Sequence, residues 1–254
     1  MAVGKDDLQF GFDDALLSHC QNNLEAFLPA TIQDDELRPA AVAIVLVRDP
    51  STGAACFLLT RRASRLSRHG GQYALPGGRL DDGEDAHSAA LRELKEELGL
   101  NATQSSVIGQ LDDFPTRSGF RITPVIVWLE GHQAVQRDPG EVEAVFFVPI
   151  TDLDQPGIPR LHHIPESSNP VLSMVLASLA DEIFSPTAAI LFQFREVTFY
   201  GRSTRVAHYE QPLFAWQATG ISGEAAVAPD HPMAGHDDRD RVGAVGGADR
   251  PHRL

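Results

Sequence analysis

One segment of the sequence, residues 78–100, constrains the fold of this chain more than any other. It follows Pro76 and Gly77, begins on Gly78 and closes on Gly99 and an aliphatic residue. Asp85 is suited to cap the N-terminus of a helix, and Gly99 is suited to end one. We therefore predict a helix from about residue 85 to residue 98, entered through a glycine-rich loop.

Three glutamates crowd one side of this predicted helix. At about 100° per residue, Glu93, Glu96 and Glu97 fall within one roughly 100° arc. The residues expected to anchor the helix to a core lie on the opposing arc: Leu91, Leu94 and Leu98. Neighbouring like charges repel, and hard divalent cations such as Mg2+ relieve that repulsion by binding carboxylate oxygens. The pattern favours a metal site, and an ordinary solvated acidic face is the alternative.

Apolar runs on both sides of this segment predict a sheet. Strands are expected at residues 40–47 and 55–60, joined as a hairpin, and at 107–114, 120–129 and 142–148. Helices are expected at 13–28 and 173–183, short strands at 192–200 and 212–216, and a loop at 66–78. From about residue 223, Gly, Pro, Asp, His and Arg dominate, which is typical of a disordered tail.

Composition limits the partners of the chain. The formal net charge of −14 argues against general binding to nucleic acid or an anionic membrane, because both need a positive surface. The two cysteines, Cys20 and Cys56, make no disulfide framework, so we expect a reducing cytoplasm and a buried Cys56 thiol. We see no signal peptide pattern in the first residues and no apolar run of about 18 residues, so no membrane span is expected.

The segment 78–100 resembles the Nudix box, G-x5-E-x7-R-E-U-x-E-E-x-G-U, at every defined position, where U is a bulky aliphatic residue. The resemblance implies that Glu93 and Glu97 are primary ligands of Mg2+ or Mn2+. It implies that Glu96 is a further ligand or orients the attacking water, and that the Gly78 carbonyl also contacts the metal.

The same resemblance implies hydrolysis of a pyrophosphate by a water molecule that attacks phosphorus in line. Glu84 and Arg92 are expected to pair and to hold the loop against the helix. The general base in this family often lies outside the box, and Glu141 and Glu143 are candidates because they precede a predicted strand. Surface charge is the alternative for both.

Residues 58–78 resemble the signature of coenzyme A pyrophosphatases, L-L-T-x-R-[SA]-x3-R-x3-G-x3-F-P-G-G, with the spacing kept. Ser67 stands at the second arginine position and Leu75 at the phenylalanine position. The candidate substrate contacts are Arg61, Arg62 and Arg68, which would bind phosphate; a solvated basic loop is the alternative. Further similarity reaches to about residue 220 and is weak after residue 150.

These resemblances imply a Nudix-type α/β/α sandwich with a mixed β-sheet. We expect a helical extension at 1–35, a hydrolase domain at 36–220 and the tail at 221–254. The leading hypothesis is cleavage of coenzyme A or a derivative to 3′,5′-ADP and a 4′-phosphopantetheine product. The alternatives are a Nudix hydrolase of ADP-ribose, NADH or dinucleoside polyphosphates, and a non-catalytic ligand-binding module.

Overall fold

The computed structural model describes residues 11–64, 70–131, 134–179 and 181–218, all within one compact unit, Met1–Gly220. Arg68, Ser67 and the predicted tail at 221–254 lie outside the described residues. The predicted domain boundaries therefore stay predictions.

A mixed sheet of eight strands forms the centre of the molecule. Its strands are β1 (Arg38–Arg48), β2 (Ala55–Arg62), β3 (Tyr73–Ala74), β4 (Gly77–Arg79), β5 (Val107–Gln110), β6 (Phe114–Pro115), β7 (Phe120–Trp128) and β8 (Val142–Pro149). The main order is β3-β2-β1-β7-β5, with β8 on β2, β4 on β1 and β6 on β7. β1 runs parallel to β7, whereas β1 and β2 form the predicted antiparallel hairpin.

Helices cover both faces of this sheet. They are α1 (Asp14–Ala26), α2 (Ala86–Leu98) and α3 (Thr187–Phe194). Alternate residues of β1 point to opposite faces: Ile44 joins the core with α1 and α3, and Val45 joins the core with α2. The predicted α/β/α sandwich with a mixed sheet is thus confirmed. Both cysteines are buried free thiols, and no helix in the described part of the chain could cross a membrane.

The predicted catalytic helix begins and ends where its capping residues require. The Asp85 carboxylate accepts a hydrogen bond of 2.7 Å from the Ser88 N–H. Gly99 adopts the left-handed conformation and its N–H donates to the Lys95 carbonyl. The three predicted anchoring leucines of α2 are buried in the core between helix and sheet.

A second, smaller sheet replaces a predicted helix. Strands β9 (Arg160–His162), β10 (Val171–Val175) and β11 (Glu182–Phe184) are antiparallel in the order β9-β10-β11, so the helix predicted at 173–183 is wrong. Consecutive residues of β10 are buried, as in a strand covered on both faces. In the sequence, a short apolar run of that kind is compatible with either a helix or a strand.

Three other local predictions also need correction. The strand predicted at 192–200 is the end of α3 followed by a π-helical turn, Arg195–Phe199, and most of the strand predicted at 212–216 lies in a 3-10 helix, Leu213–Ala218. Aromatic and β-branched residues favoured a strand at 192–200, but Arg195–Phe199 is buried as a helical turn. The predicted loop at 66–78 contains the short strand β3 and the start of β4.

Gly77 lets β4 lie directly against β1. A Cβ atom at this position would lie 2.3 Å from the Ala41 carbonyl oxygen and 2.7 Å from the Val42 Cα. Because both are backbone atoms of a central strand, neither can move aside cheaply. The close approach brings the segment before α2 onto the sheet.

The variant Gly77→Ala is expected to lower the free energy of unfolding by roughly 3 kcal/mol or more, because the added methyl group meets backbone. Gly83→Ala is the matched control: Gly83 has a φ of +80° but nothing within 4 Å of its Cβ position. It should lose only about 1 kcal/mol of conformational energy. Urea unfolding measures both values, and equal losses would contradict the close contact of β4 with β1.

Candidate active site

Helix α2 brings Glu93 against the backbone of β4. A Cβ atom on Gly78 would lie 2.1 Å from the Glu93 carboxylate oxygen Oε1. Only glycine leaves room for a carboxylate there, so the pairing of Gly78 with Glu93 has a direct steric reason. Two of the residues predicted to contact metal are therefore adjacent.

Glu97 is the most buried carboxylate of this helix, with 3% of its surface exposed. The Gly77 N–H donates a hydrogen bond to the carboxylate, but Oε2 is buried and has no partner among the described residues. Burial raises the pKa of Glu97 to about 8, and the negative charges of Glu93 and Glu141 add to this effect. The positive charge of Arg62 opposes it.

The other two glutamates differ in exposure. Burial raises the pKa of Glu93 above its ordinary value, and Glu96 and Glu141 add to the rise, while the hydrogen bond and charge of Arg92 oppose it. The Glu96 side chain is 60% exposed. The predicted acidic arc therefore runs from a buried end at Glu97 to a solvated end at Glu96.

Arg92 joins the loop before the helix to the helix itself. Its Nε and Nη2 donate to the two oxygens of Glu84 at 3.1 and 3.0 Å, and Nη2 also donates to the Arg79 carbonyl. Its Nη1 donates to Glu93 at 2.9 Å and to Glu96 at 3.1 Å. The pair predicted between Glu84 and Arg92 forms, and the same guanidinium also holds one oxygen of each neighbouring glutamate.

The donor set fits a hard divalent cation. Glu93, Glu96, Glu97 and the Gly78 carbonyl offer oxygen atoms, which Mg2+ and Mn2+ prefer. The unpartnered Oε2 of Glu97 is the observation that points to a cation site, because burying a carboxylate oxygen costs free energy unless a cation or a proton satisfies it. In the described ranges, no three acidic, histidine or cysteine side chains lie close enough together to hold a metal ion as they stand.

The two candidates for the general base are distinguished by their surroundings. The negative charge of Glu141 acts on both Glu93 and Glu97 and adds to the rise in their pKa values. Glu143 instead accepts hydrogen bonds from Ser64 at 2.6 Å and from Arg61 at 3.0 Å. Of the two candidates, Glu141 is therefore the one whose charge acts on the acidic arc.

The candidate substrate arginines also differ in their surroundings. Arg61 forms the ion pair with Glu143 at 3.0 Å. Arg62 acts electrostatically on Glu97 and lines a cavity that Gly77 also lines. Arg68 lies outside the described residues. Of the two described candidates, Arg62 is therefore the one next to the acidic arc.

This cavity has a volume of about 480 Å³ and was not predicted from the sequence. It begins at Gly77 and Arg62, continues along Tyr73 and Leu75, and is closed by segments 181–187 and 211–215. The closing segments lie where the family resemblance is weak and the strand and helix predictions failed. The Leu75 position, flagged as a departure from the signature, is part of its wall.

Comparison with protein families gives a match to a NUDIX domain over residues 37–166, just over half of the chain. A protein of Escherichia coli K12 described as an uncharacterized Nudix hydrolase, NudL, is 40% identical over 114 residues, which cover 44% of this chain and 58% of that protein. A protein of the same description from Cronobacter sakazakii is 39% identical over 116 residues, covering 45% and 59%. The chain thus spans less than two thirds of these relatives.

Solved structures with similar chains have low similarity scores. A MutT/nudix family protein from Enterococcus faecalis has a TM-score of 0.45 and 18% identity, covering 65% of this chain and 64% of that one. A C. elegans Ap4A hydrolase has a TM-score of 0.36 and 21% identity, covering 44% and 81%. Similarities at this level support no conclusion about ligands.

Glu97 should make the metal-free protein less stable as the pH rises. Its pKa is about 8 when folded and about 4.5 when unfolded, so its stabilising contribution is complete below pH 4.5 and is lost as the pH rises through 8. The slope reaches at most ~1.4 kcal/mol per pH unit. Urea unfolding with EDTA at several pH values measures this slope.

In this titration Glu97→Gln is the control variant, because the amide does not ionise. It should be more stable than the wild type at pH 8 and should show a flatter pH dependence. An unchanged slope in this variant would show that the Glu97 carboxylate is not held protonated by the fold.

Proposed function

The chain belongs to the Nudix family, and we propose that it is a divalent-metal-dependent pyrophosphohydrolase that cleaves the diphosphate of coenzyme A or its derivatives. The products would be 3′,5′-ADP and 4′-phosphopantetheine or its derivative. One observation carries the proposal: Glu97 has an unpartnered buried oxygen, and the two residues that act on its carboxylate, Arg62 and Gly77, line a cavity large enough for part of a nucleotide-derived substrate.

The proposed metal ligands are Glu93, Glu97, Glu96 and the Gly78 carbonyl. A bound Mg2+ or Mn2+ would supply positive charge that offsets the charge of the diphosphate oxygens. Contacts within the chain support this donor set. Gly78 admits the Glu93 carboxylate to the β4 backbone, and Arg92 ties Glu93 and Glu96 to the loop that carries Glu84.

The proton transfer is assigned to Glu141, with Glu96 orienting the attacking water. Glu141 accepts a proton as the water oxygen bonds to phosphorus, and the bond from that phosphorus to the bridging oxygen breaks. The leaving phosphate departs with its electron pair. Glu141 is suited to this role because its charge already acts on the two buried glutamates without being held in an ion pair like that of Glu143.

The coenzyme A assignment is supported by the upstream signature and by Arg62. The arginine that matches the signature's first arginine position is the one whose charge acts on Glu97 and whose side chain lines the cavity. Two cysteines present as buried free thiols support a cytoplasmic location.

A second candidate function is hydrolysis of other nucleoside diphosphate derivatives. It is favoured by the ion pair of Arg61 with Glu143, which leaves this arginine less available for a 3′-phosphate. Ser67 at the second arginine position of the signature favours it as well. The third hypothesis, a non-catalytic module, is disfavoured because Glu93, Glu96 and Glu97 are all retained.

Substitution of the acidic residues tests the chemistry. Glu97→Gln should lower kcat by several orders of magnitude, and Glu141→Gln by about 10²- to 10⁴-fold, since it removes a general base. Glu143→Gln is the matched control and should change kcat only a few-fold. Steady-state release of product measures all three, and a Glu143 variant as impaired as the Glu141 variant would overturn the assignment of the base.

A substrate screen tests the specificity. With Mg2+ or Mn2+, coenzyme A should be cleaved with a kcat/KM at least about tenfold above that of 3′-dephospho-coenzyme A, because charged hydrogen bonds to the 3′-phosphate are lost. ADP-ribose, NADH and a diadenosine polyphosphate are compared, with products identified by mass. Much faster cleavage of ADP-ribose or NADH would favour the second candidate function.

A further inference from the structure

The cavity lined by Arg62 and Gly77 has two walls of different origin. One wall belongs to the central sheet and contains Tyr73, Leu75 and Phe120. The other comes from the small sheet and the final 3-10 helix, and contains Phe184 and Phe214. The rings of these two residues meet edge to face at 5.9 Å between centroids. The space between the walls is therefore largely apolar and aromatic.

The described residues that line the cavity carry few charges. Arg62 is the single cationic residue among them, and its charge also acts on Glu97. Asp181 and Glu182 line the cavity where the small sheet closes it, and Arg160 lies 3.7 Å from the Glu182 carboxylate. A phosphate monoester carries nearly two negative charges at neutral pH, so the Asp181 carboxylate would repel it, while the charge of Glu182 is partly offset by Arg160. The part of the cavity next to Asp181 is therefore unsuited to a second phosphate group.

Neutral polar groups supplement the apolar walls. The residues with hydroxyl or amide groups that line the cavity are Gln72, Tyr73, Thr116, Ser118, Ser185, Thr187 and Gln211. Such groups can hydrogen-bond to amides without a net charge. A ligand with a phosphate at one end, amide groups along its length and an apolar terminus would match a cavity with one arginine, neutral polar groups and apolar walls.

We propose that this cavity binds the neutral half of the substrate, the pantetheine arm with its acyl group, and that Phe214 and Phe184 determine acyl specificity. The nucleotide half, with its 3′-phosphate, then lies outside the cavity. This inference rests on the proposed function, because it takes coenzyme A derivatives as the substrate class. The volume of the cavity, about 480 Å³, is in the range typical of small-molecule sites.

Phe214 allows a test that leaves the fold intact. Its side chain is 54% exposed, whereas the neighbouring Leu213 is 42% exposed and does not line the cavity. Phe214→Ala and Leu213→Ala therefore remove comparable exposed apolar groups from the same 3-10 helix. Asp181→Lys is a second probe, because Asp181 is an exposed lining residue and the change reverses its charge.

The experiment is calorimetric titration of the full chain with the two product halves, octanoyl-4′-phosphopantetheine and 3′,5′-ADP. Phe214→Ala should weaken binding of octanoyl-4′-phosphopantetheine by at least about tenfold and leave 3′,5′-ADP within about twofold. Leu213→Ala should leave both within about twofold. Asp181→Lys should leave 3′,5′-ADP within about twofold, because the nucleotide is not next to it.

Two results would overturn the inference. One is a change in the binding of 3′,5′-ADP, either weaker binding to the Phe214 variant or tenfold tighter binding of 3′,5′-ADP to the Asp181 variant. Either change would place the nucleotide in the cavity. The other is unchanged binding of the acylated arm to the Phe214 variant. Turnover of coenzyme A by the wild type, measured in parallel, tests the proposed function separately: turnover combined with either of these results overturns the inference alone.

Discussion

The burial of the Glu97 carboxylate is the constraint on which the site depends. An ionised carboxylate is unfavourable when it is buried and one of its oxygens has no partner. Burial therefore raises the pKa of Glu97 to about 8. The fold holds it there because the leucines on the opposite side of α2 are fixed in the core. Gly77 packs the preceding segment against β1, and Arg92 ties that segment to α2 through a hydrogen bond to the Arg79 carbonyl. The molecule thus keeps a locally unfavourable group where a cation and a diphosphate would use it.

The helix and its chemistry could be predicted because their determinants are local in sequence. Asp85 and Gly99 define the ends of α2 by short-range hydrogen bonds, and the helical period alone separates acidic from anchoring residues. The β1–β2 hairpin was predictable for the same reason, since a short turn joins two apolar runs. Periodicity did not indicate how far burial would differ between Glu97 and Glu96, because burial depends on the strand that packs beside each one.

The cavity could not be predicted because its second wall depends on contacts distant in sequence. The buried Ser173 of β10 is satisfied by His162 and Glu182 from the neighbouring strands, at 2.7 and 2.6 Å. Gln193 of α3 donates to Asp112, which is far away in the chain. Polar residues with such remote partners disturb the alternation on which strand and helix predictions rely. The choice between Glu141 and Glu143 likewise needed the position of Arg61.

Proton release on metal binding tests the central claim most directly. At pH 7, a Glu97 with a pKa of about 8 is about 90% protonated, so binding of Mn2+ must displace close to one proton. Calorimetry in buffers of different ionisation enthalpy counts that proton. The wild type should release nearly one proton per metal ion, and Glu97→Gln should bind more weakly and release almost none. Tight metal binding by the wild type without proton release, or equal release by the variant, would contradict the account.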